Sequence, residues 1–102
     1  YEGLHNTRQH FIKDELPKLF VGAKIVYVVP SYLAREDQSL EILTPEKIAS
    51  LISEPAKTQA ASLNENLRES IKNYADAGNL VLCLSAGGGG SLDEWLRKEF
   101  CL

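Results

Sequence analysis

A layered domain built on a mostly parallel sheet is the fold class the sequence predicts, and three observations predict it. Two apolar runs rich in β-branched residues, KIVYVVP and NLVLCLS, read as strands covered on both faces. Four segments with apolar residues three and four positions apart read as amphipathic helices. The two kinds of segment alternate along the chain, which is the order of parallel α/β layers. At 102 residues the chain has room for one domain with one modest core.

Each element has its own local reason. Thr7 or Asn6 can cap a first helix over residues 8–19, where Phe11, Ile12, Leu16, Leu19 and Phe20 make an apolar face. Pro17 cannot donate to the carbonyl four residues back, so that helix bends or ends near it. KIVYVVP is the first strong strand, and SYLAREDQSLEIL after it is a polar loop without periodicity. Thr44 caps a second helix with Pro45 at its first position, where a missing N–H costs nothing. Ile48, Leu51 and Ile52 give that helix a core face, and Glu54-Pro55 ends it. Residues 57–61 carry a short, weak strand signal.

Ser62 with Glu65 forms a capping box for a third helix that carries Leu63, Leu67, Ile71 and Tyr74 on one side. Gly78 supplies its stop. NLVLCLS is the second strong strand. Ser91 with Glu94 repeats the capping box, and Leu92, Trp95, Leu96 and Phe100 face inward from the last helix. Two strong strands and a weak one are few for four helices, and the first helix has only YEGLH before it. The pattern therefore predicts a three-layer α/β/α sandwich with a Rossmann-like, mostly parallel sheet. It is a partial domain lacking its first strand: either that strand precedes Tyr1 in a longer parent, the favoured expectation, or a partner supplies the missing surface.

Composition narrows the class of partner. Hydrophobic residues at 44% and charged residues at 25% exclude disorder as the main state. The net charge is −3, and Lys and Arg are scattered without a basic stripe, which argues against nucleic acid or an anionic membrane. No apolar run approaches the ~20 residues of a membrane-spanning helix. Cys83 and Cys101 have no metal-ligand spacing, and Cys83 in a strand-like run reads as a small buried hydrophobe in an ordinary cytosolic redox setting.

Three stretches could carry chemistry. SAGGGG, residues 85–90, follows a strand and precedes a helix, where side-chain-free backbone can approach an anion at the positive end of the helix. Its spacing is neither GxGxxG nor GxxxxGK[ST], so a plain turn and a ligand-contacting loop both remain open. Tyr32-Leu33-Ala34-Arg35-Glu36-Asp37 stands at the same sheet edge, and Arg35 can bind phosphate or carboxylate while Glu36 and Asp37 can hold a cation or accept from an amine. A solvated surface loop has the same composition. In LHNTRQH, His5 and His10 are out of phase for an i,i+4 metal pair, and Arg8 has the wrong charge for the first turn of a helix. No nucleophile, base and oxyanion site can be assembled by spacing.

These stretches together resemble the C-terminal domain of the Mur ligases, most closely the L-alanine-adding branch that acts on UDP-N-acetylmuramate. That family has a strand ending in F-Q-P-H-x-[YF]-S-R-T before a helix with D-E-F. Here YEGLHNTRQ precedes HFIKDELPKLF, so Thr7, Arg8 and Asp14-Glu15-Leu16 match. Tyr1 is the aromatic, while Glu2, Gly3 and Leu4 replace glutamine, proline and histidine, and His5 stands one place late. The family's Y-P-A-R-E is met by Tyr32, Ala34, Arg35 and Glu36, with Leu33 for proline. Its G-D-x-V-L-x-x-G-A-G is met by GNLVLCLSAGG, with Ser85 for a glycine and extra glycines at 88–90.

The resemblance implies a cytoplasmic ATP-dependent ligase of peptidoglycan precursor synthesis, a process that serves cell shape and division. Its parent would activate the carboxylate of UDP-N-acetylmuramate with ATP, pass through an acyl phosphate and join L-alanine. ATP and Mg²⁺ would be held mainly by a central domain in cis, over which this domain closes. Arg8, Tyr32, Arg35 and Glu36 would face the nucleotide, and His5, Ser85, Ala86 and Gly87 the substrate. No catalytic residue or metal ligand is expected in this part, which would be inactive alone. A non-catalytic or degenerate scaffold domain, or a ligase adding a different amino acid or peptide, is the alternative.

Overall fold

The computed structural model describes residues 1–3, 5–31, 39–85 and 90–101. Strand β1 (Val26–Val28) pairs in parallel with β2 (Thr58–Ala60), with Val26 opposite Thr58 and Val28 opposite Ala60. Between them the chain makes α2 (Pro45–Leu51), the crossover that a parallel pair requires. Helix α1 (Asn6–Ile12) precedes β1, and α3 (Glu65–Asp76) and α4 (Leu92–Phe100) follow β2. The result is a small mixed α/β domain with a two-stranded parallel sheet flanked by helices.

Alternation along β1 divides the core in two. Val26 and Val28 join Leu16, Leu43, Ile48 and Ile52 in one cluster. Tyr27 packs against the other, which centres on Val29, Leu67 and Leu92 and also takes in Cys83 and Trp95. Successive strand side chains point to opposite faces, so both faces of β1 are covered, as the unbroken apolar run predicts.

The chain start extends this sheet. Glu2 forms a parallel bridge with Val29. The Tyr1 α-amino group donates to the Tyr27 carbonyl at 2.7 Å, and Val29 N–H donates to the Tyr1 carbonyl at 3.0 Å. On its other side, Glu2 N–H donates to the Leu84 carbonyl at 2.9 Å. Tyr1–Glu2 thus lies between β1 and the segment ending at Leu84. YEG, which carries no strand pattern of its own, supplies a bridge within the sheet.

Several local expectations are corrected. The first helix ends at Ile12 instead of Leu19, and Pro17 lies in a 3₁₀ helix (Leu16–Lys18) built on i→i+3 contacts such as Glu15 N–H to Ile12 carbonyl, 2.8 Å. Its N-cap is His5, without a side-chain cap bond, because Asn6 is engaged elsewhere and Thr7 is inside the helix. Phe11, expected inward, is 84% exposed. The inward face belongs instead to Asn6 and Gln9, both buried and both hydrogen-bonded. Leu19 and Tyr74 are exposed as well. Asn64, not Ser62, caps α3, its Oδ1 accepting from Leu67 N–H at 3.1 Å.

The helix ends read from sequence fare better. Thr44 Oγ1 accepts from Lys47 N–H at 3.2 Å with Pro45 at the first position of α2. Gly78 has φ +88°, and Gly78 N–H to Ala75 carbonyl with Asn79 N–H to Tyr74 carbonyl closes α3 in the paired-bond C-cap that this conformation allows.

NLVLCLS is the largest departure. Among the described residues it forms no strand, and Leu80 and Leu82 are 90% and 72% exposed. Among the described residues, Leu84 alone carries a backbone bond from the chain beside it, the one from Glu2. A strand needs a partner along its length, and this segment has one at its end.

Gly3 is required by close packing. A Cβ there would stand 2.1 Å from Gln9 Nε2 and 3.6 Å from Ile48 Cδ1. Gln9 is 1% exposed and donates to the Tyr1 hydroxyl at 3.0 Å, so it cannot swing out without losing that bond. Gly3→Ala is expected to lower stability by about 1–3 kcal/mol, read as a fall in the urea midpoint at unchanged slope.

Candidate functional site

In a parallel sheet the carboxyl ends of the strands, and the helix starts that follow them, form the edge where ligands bind. Here that edge is marked by Val29, Glu2 and Leu84, which stand side by side through the bonds described above. Gly3 leads from Glu2 toward α1, and Ser85 leads from Leu84 toward α4.

The chemistry at this edge centres on the Glu2 carboxylate. Its Oε2 accepts from Leu92 N–H at 3.1 Å, at the first residue of α4. Its Oε1 lies 2.7 Å from Ser85 Oγ, which is also 3.1 Å from Asp93 Oδ1, so one hydroxyl hydrogen is shared between two carboxylates. Ser91 Oγ, at the N-cap of α4, donates to Asp93 Oδ1 and accepts no cap bond from a backbone N–H of the helix. Glu94 Oε2 accepts from Gly90 N–H at 3.0 Å, one residue earlier than the capping box predicts. The positive end of α4 is therefore occupied by carboxylates of the chain itself.

The hydrogen bond from Ser91, with that from Ser85, holds the Asp93 carboxyl below the usual carboxylate range despite the opposing pull of partial burial. Nearby, Cys83 is half-buried among apolar groups, and burial pushes its thiol up. The expected apolar role of Cys83 fits that environment, though it is less enclosed than the sequence reading has it. Cys101 is exposed.

The residues singled out from sequence fall into three groups. Ser85 is half-buried and bonded as described. His5 and Arg8 are exposed at the start of α1, with the His5 carbonyl accepting from Gln9 N–H at 2.9 Å. Among the described residues Arg8 forms no ion pair. Tyr32, Arg35, Glu36, Ala86 and Gly87 lie outside the described residues.

Glu2, Asp93 and Asn6 are contributors that sequence reasoning missed. Asn6 is buried and ties α1 to the segment before α2: its Nδ2 donates to the Glu41 carbonyl at 2.9 Å, and its Oδ1 accepts from Leu43 N–H at 2.8 Å. His10 Nε2 lies 2.7 Å from the same Glu41 carbonyl. A polar residue on the inward phase of an otherwise apolar helix was the signal available. An open, polar cavity of about 330 Å³ lies past the carboxyl end of β2, lined in part by Gln59, Ser62, Asn64, Asn66 and Glu46. Of the described residues selected from sequence for a site, none lines it.

Among the described residues no group of three or more His, Cys, Asp or Glu side chains could hold a metal ion. Nor is any helix there long and apolar enough to cross a membrane. No protein-family model, curated protein or solved structure matches this chain.

Two outcomes are expected. Ser91→Ala removes the leading cause of the Asp93 shift, so the Asp93 carboxyl should titrate at higher pH by NMR. A depressed native value contributes stability that is present at neutral pH and lost as pH falls through that value, so the variant should lose this part of its acid resistance earlier. Iodoacetamide near pH 7.5 should label Cys101 before Cys83, as followed by mass spectrometry; equal rates would contradict the burial of Cys83.

Proposed function

We propose that this chain is the C-terminal domain of an ATP-dependent ligase that joins L-alanine to UDP-N-acetylmuramate, built on a three-layer, Rossmann-like α/β/α plan. The observation that carries the reading is the meeting of two distant stretches of the resemblance. YEG and LCLS are more than 80 residues apart, yet Glu2 N–H bonds the Leu84 carbonyl and Ser85 Oγ bonds the Glu2 carboxylate. Both Glu2 and Ser85 depart from the family pattern, and they depart as a touching pair. Serine supplies a donor where glycine has none, and glutamate accepts it. Gly3 and Gln9, which stand for the family's proline and threonine, form a second such pair, since a Cβ at residue 3 would meet Gln9.

In this reading the domain brings charge to a cleft that it closes against a central ATP- and Mg²⁺-binding domain in cis. Arg8 is exposed at the start of α1, free of ion pairs among the described residues, and suits a nucleotide phosphate. Tyr32, Arg35 and Glu36 take the nucleotide side with it. His5, Ser85, Ala86 and Gly87 take the substrate side, where the carboxylates of Glu2 and Asp93 suit an incoming ammonium group before it is deprotonated for attack. Chemistry then depends on closure, which positions the amine against an acyl phosphate formed by ATP on the muramate carboxylate. The reaction places the parent in the cytoplasm, at the start of peptidoglycan precursor assembly.

The acidic filling of the α4 N-terminus favours a second reading. A helix end that accepts the chain's own carboxylates is less available to phosphate, which suits a non-catalytic or degenerate scaffold domain, or a ligase for a different amino acid or peptide.

The test is ligation by the full-length parent protein, with ATP, UDP-N-acetylmuramate and L-alanine, followed as phosphate release and product mass. Activity is expected, and Arg8→Ala should lower kcat/KM for ATP by about 10-fold or more, as loss of a charged hydrogen bond of about 1.5–3 kcal/mol requires. Absence of product with any amino acid supports the scaffold reading. Unchanged kinetics in a folded Arg8→Ala protein removes Arg8 from the site.

A further inference from the structure

Three elements converge on the open cavity of about 330 Å³ past the carboxyl end of β2. Gln59 stands opposite Tyr27 in the parallel register, so both side chains leave the sheet on the face that the second core cluster covers. Asn66 and Ser70 are four residues apart on α3 and therefore share one face of that helix. Glu46 enters from the first turn of α2. Ser62, between β2 and α3, completes the polar outline. Tyr27, Ala61 and Leu67, which pack together in the second cluster, supply an apolar lining.

The polar groups of this outline are not engaged by the rest of the molecule. Elsewhere the chain uses its amides on itself: Asn6, Gln9, Asn64 and Asn79 each bond a backbone group or another side chain. Among the described residues, the side chains of Gln59, Ser62, Asn66, Ser70 and Glu46 take no such bond.

Their chemistry selects among ligands. Amides and hydroxyls both donate and accept, so four such side chains match a ligand whose own groups do both. No Lys, Arg or His lines the cavity, and Glu46 does, so a phosphate or carboxylate would meet like charge without compensation. Apolar groups beside dual-role polar groups suit a ring with hydroxyls at its rim and C–H bonds on its face. The volume stands at the lower end of the roughly 300–1,000 Å³ usual for ligand sites, which is room for one such ring.

We propose that this cavity binds a single neutral pyranose ring. Gln59 and Asn66 bond its hydroxyls as paired donor and acceptor, Ser62 and Ser70 add further bonds, and Glu46 accepts from a hydroxyl. The C–H face of the sugar lies toward Tyr27, Ala61 and Leu67. None of the described residues assigned to the ligase reading lines the cavity, so the proposal is independent of that reading.

Two-dimensional NMR of the nitrogen-labelled 102-residue chain, titrated with D-glucose, D-galactose and D-mannose, tests it. At least one sugar should shift the side-chain amides of Gln59 and Asn66 saturably, with Kd in the millimolar range that about a dozen heavy atoms in an open site allow. The Asn79 amide, bonded to the Tyr74 carbonyl outside the cavity, should not move. Gln59→Ala and Asn66→Ala replace exposed side chains, so the fold persists, and each should weaken binding by about 5-fold. Methyl glycosides of the same sugars separate the sources: undiminished binding marks the terminal ring of a glycan, and lost binding marks a free sugar. Saturable binding of n-butylamine or inorganic phosphate, with no response to any of the three sugars, overturns the proposal. So do shifts that never saturate and extend equally to Asn79, or unchanged affinity in both folded variants.

Discussion

Two residues connect what would otherwise be separate halves. The backbone of Tyr1 and Glu2 bonds β1 on one side and Leu84 on the other. Their side chains take opposite faces of the sheet. Tyr1 stacks edge-on against Phe20 with ring centroids 5.0 Å apart and bonds Gln9, which fixes α1 over the first core cluster. Glu2 bonds the first N–H of α4, which fixes that helix on the other side. Among the described residues, the bond from Glu2 N–H to the Leu84 carbonyl is what ties the backbone of the 80–84 segment to the sheet. The order of the domain therefore depends on a peptide stretch too short to be a strand.

The constraint also explains why α1 turns its largest apolar side chain to solvent. Tyr1 brings a hydroxyl into the core, and Gln9 meets it; the 41–43 segment brings a carbonyl and an N–H, and Asn6 meets both. A buried polar group left without a partner costs about 1–3 kcal/mol, comparable to the gain from burying one phenylalanine side chain. The bond to Leu43 N–H is buried and those to the Tyr1 hydroxyl and the Glu41 carbonyl are partly buried; together they offset Phe11, and the helix sets its polar face inward. Periodicity alone reads the apolar stripe and assigns the face the other way.

What was legible in the sequence follows the range of the interactions involved. Thr44-Pro45, the Gly78 stop and the β-branched run around Val26–Val28 are set by contacts within a few residues, and they stand where the sequence places them. The weak strand at 57–61 is realised as Thr58–Ala60 through its pairing with β1. The bond of Asn6 to Glu41, the bridge of Glu2 with Val29 and the bond of Glu2 to the start of α4 arise between residues 27 to 90 positions apart, and no local pattern encodes them. Of the candidate site, Ser85 was legible as a strand end beside a turn. Its partners Glu2 and Asp93 were not, because neither carries a signal until the sheet brings them together.

The acidic edge sets a physical limit on what can approach there. Glu2, Asp93 and Glu94 all lie within reach of the α4 N-terminus, and each is satisfied by a hydroxyl or a backbone N–H. A phosphate at that point would meet like charge and would have to displace Glu2 from Leu92 N–H. An ammonium group would instead add a donor to carboxylates that still have unused lone pairs. Positive charge for an anion must then come from elsewhere on the same edge, and Arg8 at the opposite helix start is exposed and able to provide it. The two helix starts thus differ in sign, with carboxylates gathered at α4 and the exposed Arg8 guanidinium at α1.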